Sequence, residues 1–403
     1  MSRLGSIALF LLVATALVGG MHFYLWARLV RDPQLGEPWR RLLTVLLALA
    51  AASVPAGMFA WRLHPSQAVR LATSVVFIWL GASFLLFVAL VATDAVRLAA
   101  AAFSWALALG HGPAAPPDPE RRVFLARAAA GTAVLAAGGA TSLGFYTAVS
   151  DPLLHDVPIR LERLPPALSG LTVAQISDLH VGATVGERHV RRVVELTNGM
   201  KPDLVTITGD LVDGSVEQLR EATAPLAGLR ARYGVLFVTG NHEYYAAPPD
   251  GYARWIEELR RYGIRTLQNE RITVGDAVPG GATLDVAGVN DWSAPPRHRS
   301  DLGRALGGRD PDRSLLLLAH QPRGVAEAVR SGVELQLSGH THGGQIVPWS
   351  LLVAAAFPYF KGLYHHREGE RQGQIFVSCG TGYWGPPIRL GAPAEIARIV
   401  LTA

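Results

Sequence analysis

The chain has 403 residues, half of them hydrophobic, and a formal net charge of +5 at pH 7. That apolar share is high for a purely soluble protein and assigns part of the chain to lipid, while the length allows two domains. The charge comes from arginine, Lys201 and Lys361 being the only lysines, and no run of like charges marks a nucleic-acid surface, so DNA and RNA are not expected partners.

Four stretches without Asp, Glu, Lys or Arg, residues 4–27, 42–61, 71–93 and 128–150, each reach the length of about 20 residues that a membrane-spanning helix needs. His22 inside the first, and Asp94 and Arg97 just past the third, are the polar exceptions; Asp94 and Arg97 are three apart and read as an interfacial pair. Arg28, Arg31, Arg40 and Arg41 fall between spans one and two, and Arg97, Arg121, Arg122 and Arg127 between spans three and four, against Arg3, Arg62 and Arg70 on the other side. The positive-inside bias therefore predicts cytoplasmic arginine-rich loops, with both termini and everything after Ser150 outside the cell membrane.

Residues 112–119, rich in proline, read as a stiff linker before span four. Arg121-Arg122-Val123-Phe124-Leu125 ahead of an Ala- and Gly-rich apolar segment resembles an internal twin-arginine export signal, although the same arginines also suit the topology. The expected organisation is a three-helix transmembrane region at 1–110, a linker with the twin-arginine-like motif and a fourth helix at 111–155, and a globular domain at 156–403.

The globular half opens with a Pro-rich lead-in and then alternates strands and helices: strands at 171–176, 204–208, 235–239, 284–289, 315–319, 334–337 and 375–378, and helices at 188–199 and 216–229. This predicts an α/β layered domain. Ligands gather at the carboxyl ends of strands in such sheets, and there the chain places Asp178 and His180, Asp210, Asn241 with His242 and Glu243, His320, and the pair His340 and His342. Gly339 is expected to let the backbone turn so that both imidazoles of the pair project from one rim. Cys379, the single cysteine, follows the apolar run 375–377 and reads as a buried structural thiol.

Asp-x-His, Gly-Asp, Gly-Asn-His-Glu, a lone His and Gly-His-x-His stand in that order from Asp178 to His342, and the chain resembles the calcineurin-like metallophosphoesterases in all five blocks. The resemblance spans roughly residues 156–402. Gly-His-Thr-His-Gly-Gly-Gln, and Ser378-x-Gly380-x-Gly382 with Pro387-Ile388-Arg389, look like the membrane-linked bacterial branch, from which Ala394 before Glu395 is a minor departure. It implies a four-layer β-sandwich flanked by helices, preceded here by an α-helical membrane domain.

The resemblance further implies one metal held by Asp178, His180, Asp210 and His342, and a second held by Asp210, Asn241, His320 and His340. Such mixed nitrogen and oxygen donors suit Mn, Fe or Zn better than Mg or Ca. Two ions about 3.5 to 4 Å apart would clamp a phosphate and yield a hydroxide for in-line attack. His242 would stabilise the transition state or protonate the leaving oxygen as the catalytic residue. The implied activity is hydrolysis of a phosphomonoester, a phosphodiester or a lipid-linked pyrophosphate.

Glu243 is expected to orient a histidine, and Asn290 and Asp291, at the end of the 284–289 strand, to cap a loop rather than to touch substrate. The apolar segment 346–360 either packs against the sheet or forms a greasy wall beside the metals that dips toward the outer leaflet. Two readings from other classes compete: a membrane sensor or scaffold without activity, which intact ligand blocks disfavour, and a transporter with an appended phosphoesterase, which the scarcity of intramembrane charge disfavours.

Overall fold

The computed structural model describes residues 3–63, 66–108, 118–245, 251–275 and 281–403. They fall into two compact units, Met1–Tyr146 with Pro386–Ile388, and Thr147–Gly385 with Arg389–Ala403. Most of the expected proline linker lies outside the described residues.

In the first unit four helices are long and apolar enough to cross a membrane. They are α1 (Arg3–Trp26, continued by a π-helical turn, Ala27–Arg31), α2 (Glu37–Leu63), α3 (Gln67–Ala108) and α4 (Pro119–Val149). The third does not stop at residue 93: the segment after Asp94 is rich in alanine and leucine, the strongest helix formers, and carries α3 on to Ala108. Asp94 finds a closer partner than Arg97, which is 3.9 Å away; Arg28 lies at 2.7 Å and the Tyr24 hydroxyl donates to it at 2.6 Å. His22 is satisfied inside its helix bundle, accepting from Trp79 Nε1 at 2.9 Å with its other nitrogen 2.8 Å from the Val18 carbonyl.

The second unit is built on two six-stranded sheets. In chain order its elements are β1 (Leu153–Arg160), β2 (Thr172–Ile176), α5 (Glu187–Gly199), β3 (Leu204–Thr208), α6 (Val216–Thr223), β4 (Val235–Val238), α7 (His242–Tyr245), α8 (Gly251–Arg261), β5 (Ile264–Thr266) and β6 (Glu270–Val274). There follow β7 (Leu284–Gly288), α9 (Leu302–Leu306), β8 (Leu315–Leu318), α10 (Val325–Arg330), β9 (Leu335–Ser338), α11 (Trp349–Ala356), β10 (Gly362–Glu368), β11 (Arg371–Val377) and β12 (Glu395–Thr402). One sheet runs β1-β12-β2-β3-β4-β5 and the other β10-β11-β9-β8-β7-β6.

Alternation decides the layers, because successive side chains in a strand point to opposite faces. Val173, Leu204, Leu236, Val238 and Ile399 of the first sheet meet Leu284, Val286, Leu316, Leu318, Leu335, Leu337 and Phe376 of the second in one buried core. Behind the second sheet, Ala287, Leu315 and Leu317 pack on α9 and α10 through Ala305 and Ala328. Behind the first, Ala174, Ile176, Val205, Ile207 and Phe237 are buried as well, and α5, α6 and α8 turn Val190, Val193, Leu219, Trp255 and Leu259 inward. The four-layer sandwich is therefore present.

Two expected elements differ. The helix read over 216–229 ends at Thr223 and tightens into a 3₁₀ turn over Ala224–Gly228, because Pro225 lacks the amide that would continue it. The Pro-rich lead-in contains a strand: β1 accepts Pro158 because it is the sheet's edge, paired on one side only, in parallel with β12.

Candidate metal centre

The central strands β2, β3, β4, β8 and β9 deliver their carboxyl ends to one place. Asp178, His180 and His342 each bring one donor atom within 4.8 Å of the others, as do His180, Asp210 and His242, and Asp210, His320 and His340. His180 Nε2 lies 3.1 Å from His342 Nε2, which is 3.5 Å from Asp178 Oδ1. In the second group His320 Nε2 lies 3.1 Å from Asp210 Oδ2, 3.2 Å from Asn241 Oδ1 and 3.2 Å from His340 Nδ1. Every sequence-expected donor is thus brought to the site, and Asp178, His180, Asp210, Asn241, His320 and His342 are buried.

The backbone makes this convergence possible at a conformational cost. Asp178 (φ +52°), His180 (+49°), Asp210 (+49°), His340 (+72°) and His342 (+53°) all occupy the left-handed region. That region costs a residue other than glycine on the order of 1 kcal/mol, and five such residues in one site indicate that the fold holds the donors against local preference. Gly339 works differently from expectation. Its φ is not positive; its role is space, because a Cβ there would overlap Ser177 Oγ and Asp178 Oδ2. At Gly240 a Cβ would overlap the Asp210 carboxylate in the same way.

The chemistry of the donor set fits divalent metal ions. Burial and the neighbouring His320 push His340 down to about 3, and burial with the charges of His180 and Arg389 holds His342 well below the ordinary imidazole range, so both keep a lone pair for coordination. Burial raises Asp178, whereas at Asp210 burial is outweighed by His320 and His242, which hold that carboxyl well below its usual range. His320 Nδ1 lies 2.8 Å from the Thr208 carbonyl, an arrangement that places its proton there and leaves Nε2 facing the site.

His242 sits at the edge of the cluster. Its Nδ1 is 2.5 Å from Asp213 Oδ1, and its Nε2 is 4.0 Å from Asp210 Oδ2. Burial by itself lowers its pKa, but Asp210 and Asp213 outweigh that and push it up to about 9. Asp213 also reaches His180 Nδ1, at 3.2 Å. Sequence reasoning missed Asp213; the signal available was a third carboxylate three residues after Asp210, in the same loop. Arg389 was noted only as part of a motif, yet it is fully buried and donates to the carbonyls of Gly382, Ala392 and Cys379, the first through Nε at 2.8 Å, which ties down the loop after β11.

Glu243 does not orient a histidine. Its carboxylate accepts from four backbone amides, Gly240 at 2.6 Å, Leu211 at 2.8 Å, Asp210 at 3.1 Å and Val212 at 3.4 Å, and so pins the two loops that carry Asp210 and Asn241. Burial and Asp210 push it up to about 7 against those donors. Asp291 accepts from the Ser293 amide and Gln321 Nε2, and Asn290 donates to the His298 carbonyl, in keeping with loop capping. Cys379 is buried, which pushes its thiol up to about 12. The helix in the apolar 346–360 segment, α11, does not pack against the sheet: none of its residues is buried.

Residues 171–344 match the model of the calcineurin-like phosphoesterase family. The chain is 34% identical to the "Transmembrane protein with metallophosphoesterase domain" of Danio rerio, over 97% of this chain and 89% of that protein. The Bos taurus protein of the same description is also 34% identical, over 91% of this chain and 81% of the relative. An "Uncharacterized metallophosphoesterase" of Helicobacter pylori (strain J99) is 38% identical over 64% of this chain and 66% of its own length. With a relative of this similarity matched over nearly its whole length, the chain belongs to the calcineurin-like metallophosphoesterases, and these relatives are described as transmembrane proteins with that domain.

Proposed function

We propose that the protein is a membrane-anchored phosphoesterase that uses two divalent metal ions, Mn, Fe or Zn, to hydrolyse a phosphate ester. The observation that carries this reading is Asp210: one carboxylate stands within reach of His180 and His242 on one side and of His320 and His340 on the other. One ion would be held by Asp178, His180, Asp210 and His342, and the other by Asp210, Asn241, His320 and His340. When bound, the ions supply the positive charge and the activation of water that attack at phosphorus requires.

The chain's own residues supply the rest. Asp213 orients His242 by holding Nδ1, which leaves Nε2 toward the site, and its charge favours the protonated ring. It can therefore give a proton to the leaving oxygen or balance charge as the P–O bond breaks. Glu243 and the tight glycines hold the loops in register so that the donors stay converged.

The substrate class under this reading is a phosphodiester, a phosphomonoester or a lipid-linked pyrophosphate. Its membrane topology is multi-pass with the catalytic domain outside the cytoplasm, organised as 1–110, 111–155 and 156–403. If Arg121 and Arg122 act as a twin-arginine signal, Arg122→Lys blocks export of the domain and leaves insertion of the first three spans intact; normal export removes the signal from the reading. The decisive test of the activity is metal content and hydrolysis of bis-p-nitrophenyl phosphate by the purified protein, with Asp210→Asn and His242→Ala as controls. A protein without metal or activity would be a membrane scaffold that has kept the fold.

A further inference from the structure

One exposed apolar surface has no part in that chemistry. Helix α11 carries no charged residue and buries none of its eight residues; Trp349 is 52%, Leu351 68% and Leu352 60% exposed, and Val347 just before it 48%. It is also fixed in place. The helix follows the metal-site turn His342–Gly344, the Thr341 hydroxyl donates to the Phe360 carbonyl at 2.5 Å across the base of the excursion, and the Phe357 ring stands edge-on 5.7 Å from His340.

A second exposed aromatic ring stands on the same rim. Gln345 holds Trp384 by two hydrogen bonds, donating to its carbonyl at 3.0 Å and accepting from its amide at 3.0 Å. Trp384 is 55% exposed and 5.7 Å from the His242 ring. Its neighbour Tyr383 is buried together with Val185 and Ala148, and Ala148 belongs to the last turn of α4, a helix long and apolar enough to cross a membrane. The same chain thus carries this rim and, among its described residues, helices long and apolar enough to cross a membrane.

We propose that α11, with Val347 and Trp384, is an interfacial surface that lies on the lipid bilayer, and that the metal centre takes a phosphate ester carried by a lipid from that bilayer. The substrate clause rests on the phosphoesterase reading; the docking does not. Trp349 and Trp384 are of the residue type enriched at membrane–water interfaces, and the exposed Val347, Leu351 and Leu352 supply apolar surface that lipid can cover. A second copy of the chain is a poor occupant, since an eight-residue helix is only about 12 Å long and offers far less than the roughly 800 Å² per partner of a standard interface. A lipid substrate would keep its tail among the acyl chains and present its phosphate at headgroup level, where hydrolysis adds one water across the P–O bond and the departing oxygen takes a proton.

The test uses the full chain in nanodiscs of phosphatidylcholine and phosphatidylglycerol. A polarity-sensitive fluorophore on Leu352→Cys, with Cys379→Ala, is expected to emit at short wavelength and to be quenched by nitroxide-labelled lipid; quenching by aqueous iodide instead overturns the docking. In the second arm, hexadecyl p-nitrophenyl phosphate in the bilayer is compared with soluble bis-p-nitrophenyl phosphate. Leu351→Ser/Leu352→Ser is expected to lose at least about tenfold on the lipid-borne ester, the floor set by partial transfer of two leucine side chains, and to keep its rate on the soluble one. Equal losses on both, or no loss on the lipid-borne ester, overturn the lipid route. A wild type that hydrolyses neither ester while residue 352 reports lipid removes the phosphoesterase reading and leaves the docking standing.

Discussion

Asp213 Oδ1 lies 2.5 Å from His242 Nδ1, and this contact fixes which imidazole nitrogen faces the cluster of candidate metal donors. Asp213→Asn keeps the shape of the side chain and removes the charge that holds the ring oriented and protonated. The expected result is a fall in kcat of about 10²-fold or more, within the range that positioned acid catalysis contributes, with metal content retained. A variant that keeps wild-type kcat would exclude the pair from the reaction.

The same contact has a consequence for stability. His242 is raised from its ordinary 6.5 to about 9 in the metal-free fold. A raised histidine stabilises fully below the unfolded pKa and loses that contribution as pH climbs through the folded one. The metal-free protein should therefore lose stability between about pH 6.5 and 9, by up to roughly 3 kcal/mol at 1.36 kcal/mol per pKa shift of one. Thermal unfolding of the metal-stripped protein across that window measures it, and the fall should shrink in Asp213→Asn.

His340 and His342 stand two residues apart but in different donor groups. In each of His340→Ala and His342→Ala, titration of bound metal should show one ion lost at a concentration that still retains the other. Simultaneous loss of both ions in either variant would contradict the division of the site.

Gly339→Ala places a methyl group against Ser177 Oγ and Asp178 Oδ2. Neither neighbour can retreat freely, because Asp178 also accepts from the His340 amide at 3.0 Å. Relief requires movement of the strand ends, so a destabilisation of about 1 to 3 kcal/mol is expected, together with weaker metal binding. An unchanged melting temperature with full metal content would show that the site yields more easily than its packing indicates.

Glu243→Gln replaces an acceptor-only carboxylate by an amide with a single acceptor oxygen, facing four N–H donors. Leaving buried donors unmatched costs about 1 to 3 kcal/mol, and the loops carrying Asp210 and Asn241 should loosen. Reduced thermal stability and lowered metal affinity in this variant, read by calorimetry and metal titration, are the expected outcome.

The candidate donors were legible in the sequence because each follows a short apolar strand in a fixed local pattern, and composition alone marked the four apolar helices. Local pattern also gave the alternation of strands and helices in the globular half, and the structure pairs β2, β3 and β4 in parallel as neighbours. The pattern was silent on the edges: β1 pairs with β12 across more than half the domain's length, with Leu153 opposite Glu395, and no local signal reports a partner so distant.

What only the tertiary structure decided are relationships set by packing between distant segments. The left-handed backbone at five donors, the space that Gly339 must leave for Asp178, and the switch of Glu243 from a presumed histidine partner to an acceptor for four amides all arise where strand ends from separate parts of the chain meet. Asp213 gained its role in the same way, through His180 and His242. The apolar run at 349–356 could equally have been core, and only the fold shows that it is exposed. Sequence determined which chemical groups this protein carries, because residue type and strand period are local, and the fold decided which of them touch, because contact is not.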